Sequence, residues 1–153
     1  MPVINRKFSG ALLTAAVIGL SACTSYHYPS EAEQKVAALQ ARFPRYSFIV
    51  VRCDNSNAIA DAVTVGALNA GASSANAKTI VDLLSRPDSP YVAVLGDGDT
   101  VAAATLGRAL ADSKGKARPG RTVLFVGDQQ YEAKLMAVAS DAGVKLEFVA
   151  FSN

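Results

Sequence analysis

Tyr91-Val92-Ala93-Val94-Leu95-Gly96-Asp97-Gly98-Asp99-Thr100 decides how this chain folds. Five apolar residues of strand length run into two Gly-Asp pairs. A helical pattern then extends to about Ser113, with Ala102, Leu106, Ala109 and Leu110 on one face. Downstream the design recurs: Thr122 to Val126 is apolar, Gly127-Asp128 follows, and a helix with Tyr131, Leu135, Val138 and Ala139 inward comes next. Upstream, Cys53-Asp54 ends another apolar run before a predicted helix and reads as a degenerate third unit. Lys145 to Phe151 supplies a last strand. Strands alternating with helices predict an α/β sandwich with a mostly parallel sheet of about four strands and flanking helices.

Outward from these units the remaining elements fall into order. Ser30 caps a helix with Glu31 and Glu33 in its first turn, and Ala32, Val36, Leu39 and Phe43 form its apolar stripe. Pro44 stops it. Tyr46 to Cys53 has β-branched and aromatic residues around a continuous apolar centre, which predicts a buried, central strand. Asn57 to Leu68 can be laid on a helix with Ile59, Ala62, Val63 and Gly66 inward, although Ala62 to Leu68 also alternates like a short strand; the helix is preferred. Ser73 or Ser74 then caps a helix with Ala77, Ile80, Val81 and Leu84 on one face, ended by Arg86-Pro87-Asp88-Ser89-Pro90.

The N-terminus carries an address. Arg6 and Lys7 precede an apolar run from Ala11 to Leu20, the n-region and h-region of a secretory signal and too short to span a bilayer. Leu20-Ser21-Ala22-Cys23 resembles the lipobox of bacterial lipoproteins. The resemblance implies that the Cys23 thiol is acylated, that residues 1–22 are removed, and that several acyl chains tether the new N-terminus to a membrane. Thr24 follows where, in Gram-negative lipoproteins, an Asp would favour the inner membrane, so the outer membrane facing the periplasm is the expected location. An ordinary signal peptide cut after Ser21-Ala22 is the alternative. Residues 23–30 then form the lipidated N-terminus and a short linker, in which Tyr26 and Tyr28 can rest among headgroups. Residues 31–153 form one domain.

Composition narrows the function. The signal removes Arg6 and Lys7 from 15 basic residues, which leaves the mature chain balanced against its 13 acidic ones. No global charge favours nucleic acid as a partner. The single His27 sits in the linker, and Cys53 is the only thiol besides Cys23, so neither a catalytic histidine nor an intramolecular disulfide is expected in the domain. Cys53 stands at a strand end near a helix N-terminus, where a thiol pKa can fall, yet it lacks a base and a resolving cysteine. A buried structural thiol is the simpler reading.

Two charged groups remain as candidate sites. Asp54, Asp97, Asp99 and Asp128 follow strand ends and would line one edge of a parallel sheet, where open α/β folds bind ligands. They suit a hard cation, or hydroxyl and ammonium groups; otherwise each caps the helix it precedes. A phosphate site is disfavoured by the carboxylates, and no nucleotide motif is present. Lys114, Lys116, Arg118 and Arg121 crowd the loop at the opposite edge and could meet headgroups, cell-wall carboxylates or an acidic partner.

From Leu106 onward the chain also resembles the peptidoglycan-binding domains of outer-membrane proteins, through a helix, a strand ending in Gly127-Asp128, a second helix and Ala142-Gly143-Val144 before a strand. It departs from them in the short loop after Asp128 and in the absence of an arginine from the second helix. The expectation is an outer-membrane-anchored lipoprotein acting as a non-enzymatic binding or assembly component of an envelope or secretion complex, without a cofactor or metal. The membrane and an envelope protein are its expected partners. A small-ligand, cation or peptidoglycan binder is the alternative.

Overall fold

The computed structural model describes residues 28–88 and 91–152; the lipobox with Cys23, the linker residues Tyr26 and His27, and Ser89-Pro90 lie outside the described residues. Helix α1 (Glu31–Arg42) opens the domain. Ser30 Oγ accepts the Glu33 N–H at 3.3 Å and Glu33 Oε2 accepts the Ser30 N–H at 2.7 Å. This reciprocal pair satisfies two backbone donors that a helix start leaves unpaired. Strand β1 (Phe48–Arg52) and helices α2 (Ala58–Asn69) and α3 (Ala75–Ser85) follow, each helix capped by a side chain, Asn57 on Ala60 N–H and Ser74 on Ala77 N–H. Strand β2 (Tyr91–Leu95), helix α4 (Thr100–Ser113), strand β3 (Thr122–Gly127), helix α5 (Glu132–Ala142) and strand β4 (Lys145–Ala150) complete it.

The four strands form one all-parallel sheet in the order β1-β2-β3-β4, so the α/β architecture read from the repeated units is the one found. Alternation along each strand divides the apolar side chains between two layers. Val92, Val94, Val123 and Phe125 face α3, α4 and α5 in the larger core. Ala93, Leu95, Leu124 and Val126 face α1, where they meet Ala32 and Leu39. Leu39 is fully buried there; covering a leucine side chain stabilises the fold by about 1.5–3 kcal/mol. Among the described residues no helix is long and apolar enough to cross a membrane.

Two expectations need correction. β1 is a rim strand, not a central one, because strand order follows chain order and the first strand has a neighbour on one side only. Val51 and Cys53 are buried beneath α3, whereas Ile49 and Val50 stay exposed. α2 is a helix as preferred, but its face is reversed. It belongs to no strand-to-strand layer of its own and rests on α4. Leu68 and Val65 make that contact, while Ile59, Ala62, Val63 and Gly66 look outward. A helix that covers only another helix needs a narrow stripe, and here the narrower apolar stripe is the one used.

Candidate functional site: the carboxylate edge

The C-terminal ends of β1, β2 and β3 bring Asp54, Asp97, Asp99 and Asp128 to one edge of the sheet. The monotonic strand order leaves no point at which connections diverge, so this edge lacks the crevice that a reversal of winding creates. Its carboxylates are turned on one another's backbone and on two cations. Arg52 Nε donates to both oxygens of Asp54, at 2.8 and 2.7 Å, and Arg52 Nη2 donates to Asp97 Oδ2 at 2.6 Å. Asp54 Oδ1 also accepts the Asp97 N–H at 2.8 Å, which ties the end of β1 to the turn after β2.

Asp97 reaches across to α1, where its Oδ1 accepts the Ala32 N–H at 2.7 Å. That bond at the positive end of a helix, more than the neighbouring Arg52, holds its carboxyl below the usual carboxylate range, against the opposing effect of partial burial. Asp99 accepts the Asp128 N–H on Oδ2 at 2.7 Å and makes no side-chain cap to α4, although it stands at that helix's N-cap. Only Asp128 behaves as the capping reading expects, accepting the Gln130 N–H at 2.9 Å over the short 3-10 turn Gln129–Tyr131. The other three bind elements distant in sequence.

The centre of this arrangement is a residue the sequence reading passed over. Lys35 of α1 is 0% exposed. Its ammonium donates to Gly96 O at 2.9 Å and Asp99 Oδ1 at 2.5 Å, lies 2.5 Å from Glu31 Oε1, and sits 5.7 Å from the centre of the Phe151 ring. Three acceptors match its three donors. Removing a cation from water costs several kcal/mol, which these partners must offset. A signal existed: Lys35 is three residues after Ala32 and four before Leu39, inside the apolar stripe rather than beside it.

Close packing accounts for the glycines of the repeated units. A Cβ on Gly96 would stand 2.2 Å from Cys53 O, and one on Gly127 would stand 2.7 Å from the Phe125 ring and 2.8 Å from Asp99 Oδ1. Gly98 has φ +80° and would drive a Cβ into the Asn55 amide at 2.5 Å. The strand-Gly-Asp pattern is thus a device for bringing three strand ends together.

The remaining candidates are dispersed. Cys53 is buried, its Sγ 3.5 Å from Asn76 Nδ2, and burial pushes its thiol pKa up, which makes it a poor nucleophile near neutral pH. In the basic loop, Lys114 pairs with Asp141 of α5 at 3.0 Å and Arg118 Nε donates to Ser85 O at 3.2 Å. Lys116 is exposed, and Arg121 lines a separate hollow of about 420 Å³ with Arg45, Tyr46 and Tyr91. The four side chains do not converge on one point. A groove of about 240 Å³ between α2, α4 and α5 is lined by Val65, Leu68, Ala103, Gly107, Leu135 and Val138. Among the described residues no group of three or more His, Cys, Asp or Glu side chains could hold a metal ion. No known protein family, curated protein or solved structure matches this chain.

Proposed function

We propose that this chain is an outer-membrane-anchored periplasmic lipoprotein, acylated at Cys23, that serves as a non-enzymatic binding or assembly component of an envelope or secretion complex. The observation that carries the binding role is the outward stripe of α2. Ile59 is 79% exposed and Val63 68% exposed. Ala62, Gly66 and Ala67 lie beside them, also exposed, with no charge among the five. A contiguous apolar stripe on one helix, turned away from its own core, suits insertion into a partner's groove. The internal use of the four aspartates and the burial of Cys53 support the non-enzymatic part of the reading.

Crosslinking in living cells with identification by mass spectrometry tests this. The full chain is expected to capture one reproducible envelope protein, and both Cys23→Ser and the pair Ile59→Glu, Val63→Glu are expected to lose it. Capture of cell-wall fragments alone, or capture indifferent to these changes, would sink the assembly reading. The rival reading, a cation or muropeptide binder at the carboxylate edge, predicts thermal stabilisation by calcium or muropeptides that vanishes in Asp97→Asn or Asp128→Asn.

A further inference from the structure

The sheet ends in two unlike rims. β4 carries Lys145 and Glu147, paired at 2.6 Å, so charge guards that strand in the way that exposed edges commonly resist pairing. β1 has no such guard between Phe48 and Val51, and Ile49 and Val50 are 39% and 37% exposed. The direction of its backbone groups follows from two bonds: Cys53 N–H donates to Leu95 O and Ser47 O accepts the Tyr91 N–H. Odd-numbered residues therefore bond to β2, and even-numbered ones turn their N–H and C=O outward. Arg52 O is already taken, accepting Asn76 Nδ2 at 3.0 Å. The Arg52 N–H also faces outward, and Phe48 and Val50 add two donors and two acceptors on the rim.

We propose that β1 pairs antiparallel with β1 of a second copy of this chain, joining two sheets into one continuous sheet of twice the width. Opposing Phe48 to Val50 of the other copy, and Val50 to Phe48, satisfies the four outward groups of Phe48 and Val50 in each copy through four hydrogen bonds. The two-fold axis then passes between the two Ile49 residues, which form a non-hydrogen-bonded pair with Cα atoms about 4.5 Å apart. Charge selects this direction. Exposed Arg45 precedes β1, and at its other end Asp54 and Asp97 outnumber Arg52, which pairs with both, and leave that end acidic. Antiparallel pairing brings Arg45 of each copy towards the Asp54 end of the other, whereas parallel pairing would set like charges together. A self-complementary patch of this kind is what a two-fold dimer requires. The pairing rests neither on the lipid anchor nor on α2.

The test uses the full chain in mild detergent. Sedimentation is expected to give a dimer, and Val50→Lys, which places a charge on the rim, is expected to give a folded monomer. Under an added oxidant, Ile49→Cys is expected to form a disulfide-linked dimer about tenfold faster than Val50→Cys, because position 49 faces itself while the two copies of position 50 are offset beyond disulfide reach. The unsubstituted chain, with Cys23 and Cys53, sets the background. A monomeric parent chain overturns the proposal, as does a dimer that survives Val50→Lys, equal crosslinking at positions 49 and 50, or an Ile49→Cys adduct with a different protein.

Discussion

Helices α1 and α2 are each 12 residues long, yet they treat their side chains in opposite ways. α1 takes a lysine into its buried stripe, and α2 turns two branched apolar residues out to solvent. The difference lies in what each helix covers. α1 lies across one face of the sheet, above strand ends that supply Gly96 O and Asp99 as acceptors, so a charge there finds partners. α2 has only the surface of α4 beneath it and completes its contact with Leu68 and Val65. Burial in this domain is decided by the partner surface: amphipathic pattern finds the stripe of α1 but passes over Lys35 within it, and it misassigns the face of α2.

The sharpest way to break the comparison is Lys35→Met. It removes the cation but leaves Asp99 and Glu31 facing each other near an apolar ring, and a loss of about 3–5 kcal/mol is expected in urea unfolding. A loss below about 1 kcal/mol would mean that the ammonium is not what holds α1 to the carboxylate edge.

A smaller effect is expected from Asp97, which is partly exposed. Its carboxyl titrates below the ordinary value because of the Ala32 N–H and Arg52. A carboxylate lowered in the folded state contributes stability above its unfolded pKa of about 3.9 and loses that contribution as pH falls through its folded pKa. The parent chain should therefore lose stability on acidification below about pH 4 more steeply than Asp97→Asn does, as read from thermal melts across pH. Identical acid profiles would remove Asp97 from the link between α1 and the sheet.

The smallest effect belongs to α2. Ile59→Ser with Val63→Ser is expected to change stability by no more than about 0.5 kcal/mol, since neither side chain supports the core. A loss well above that, measured by the same urea titration, would show that this face is covered within the chain and would erase the contrast with α1.

Much of this arrangement was legible in the residues. Tyr91 to Leu95 and Thr122 to Val126, each followed by Gly-Asp and a periodic helix, identify the units and their parallel direction, and Ser30 marks the start of α1. Their order across the sheet was not legible, because Phe48 to Val51 is equally apolar at a rim or in the centre. The four aspartates were correctly gathered at one edge, but their partners were not foreseen. Ala32 N–H, Arg52 and Lys35 lie up to 65 positions away and meet the aspartates only through tertiary packing. Lys35 itself was visible as a misfit in the stripe, and such a misfit is a usable sign of a buried charge pair.

The strand order also governs how the domain can be assembled in time. Each strand adds beside the one that preceded it in the chain, so β1, β2, β3 and β4 can be laid down in succession, although each parallel pairing must close a crossover, with partners 43, 31 and 23 positions apart, and such pairing is slow. α1 is the exception. Although synthesised first, it finds its seat only when Leu124 and Val126 of β3 are in place and Phe151, past the final strand, comes to lie near Lys35. Until then its ammonium keeps its water. Phe151 covers one side of the dehydrated site of α1, so a chain shortened before it would retain the strand series and seat that helix less firmly.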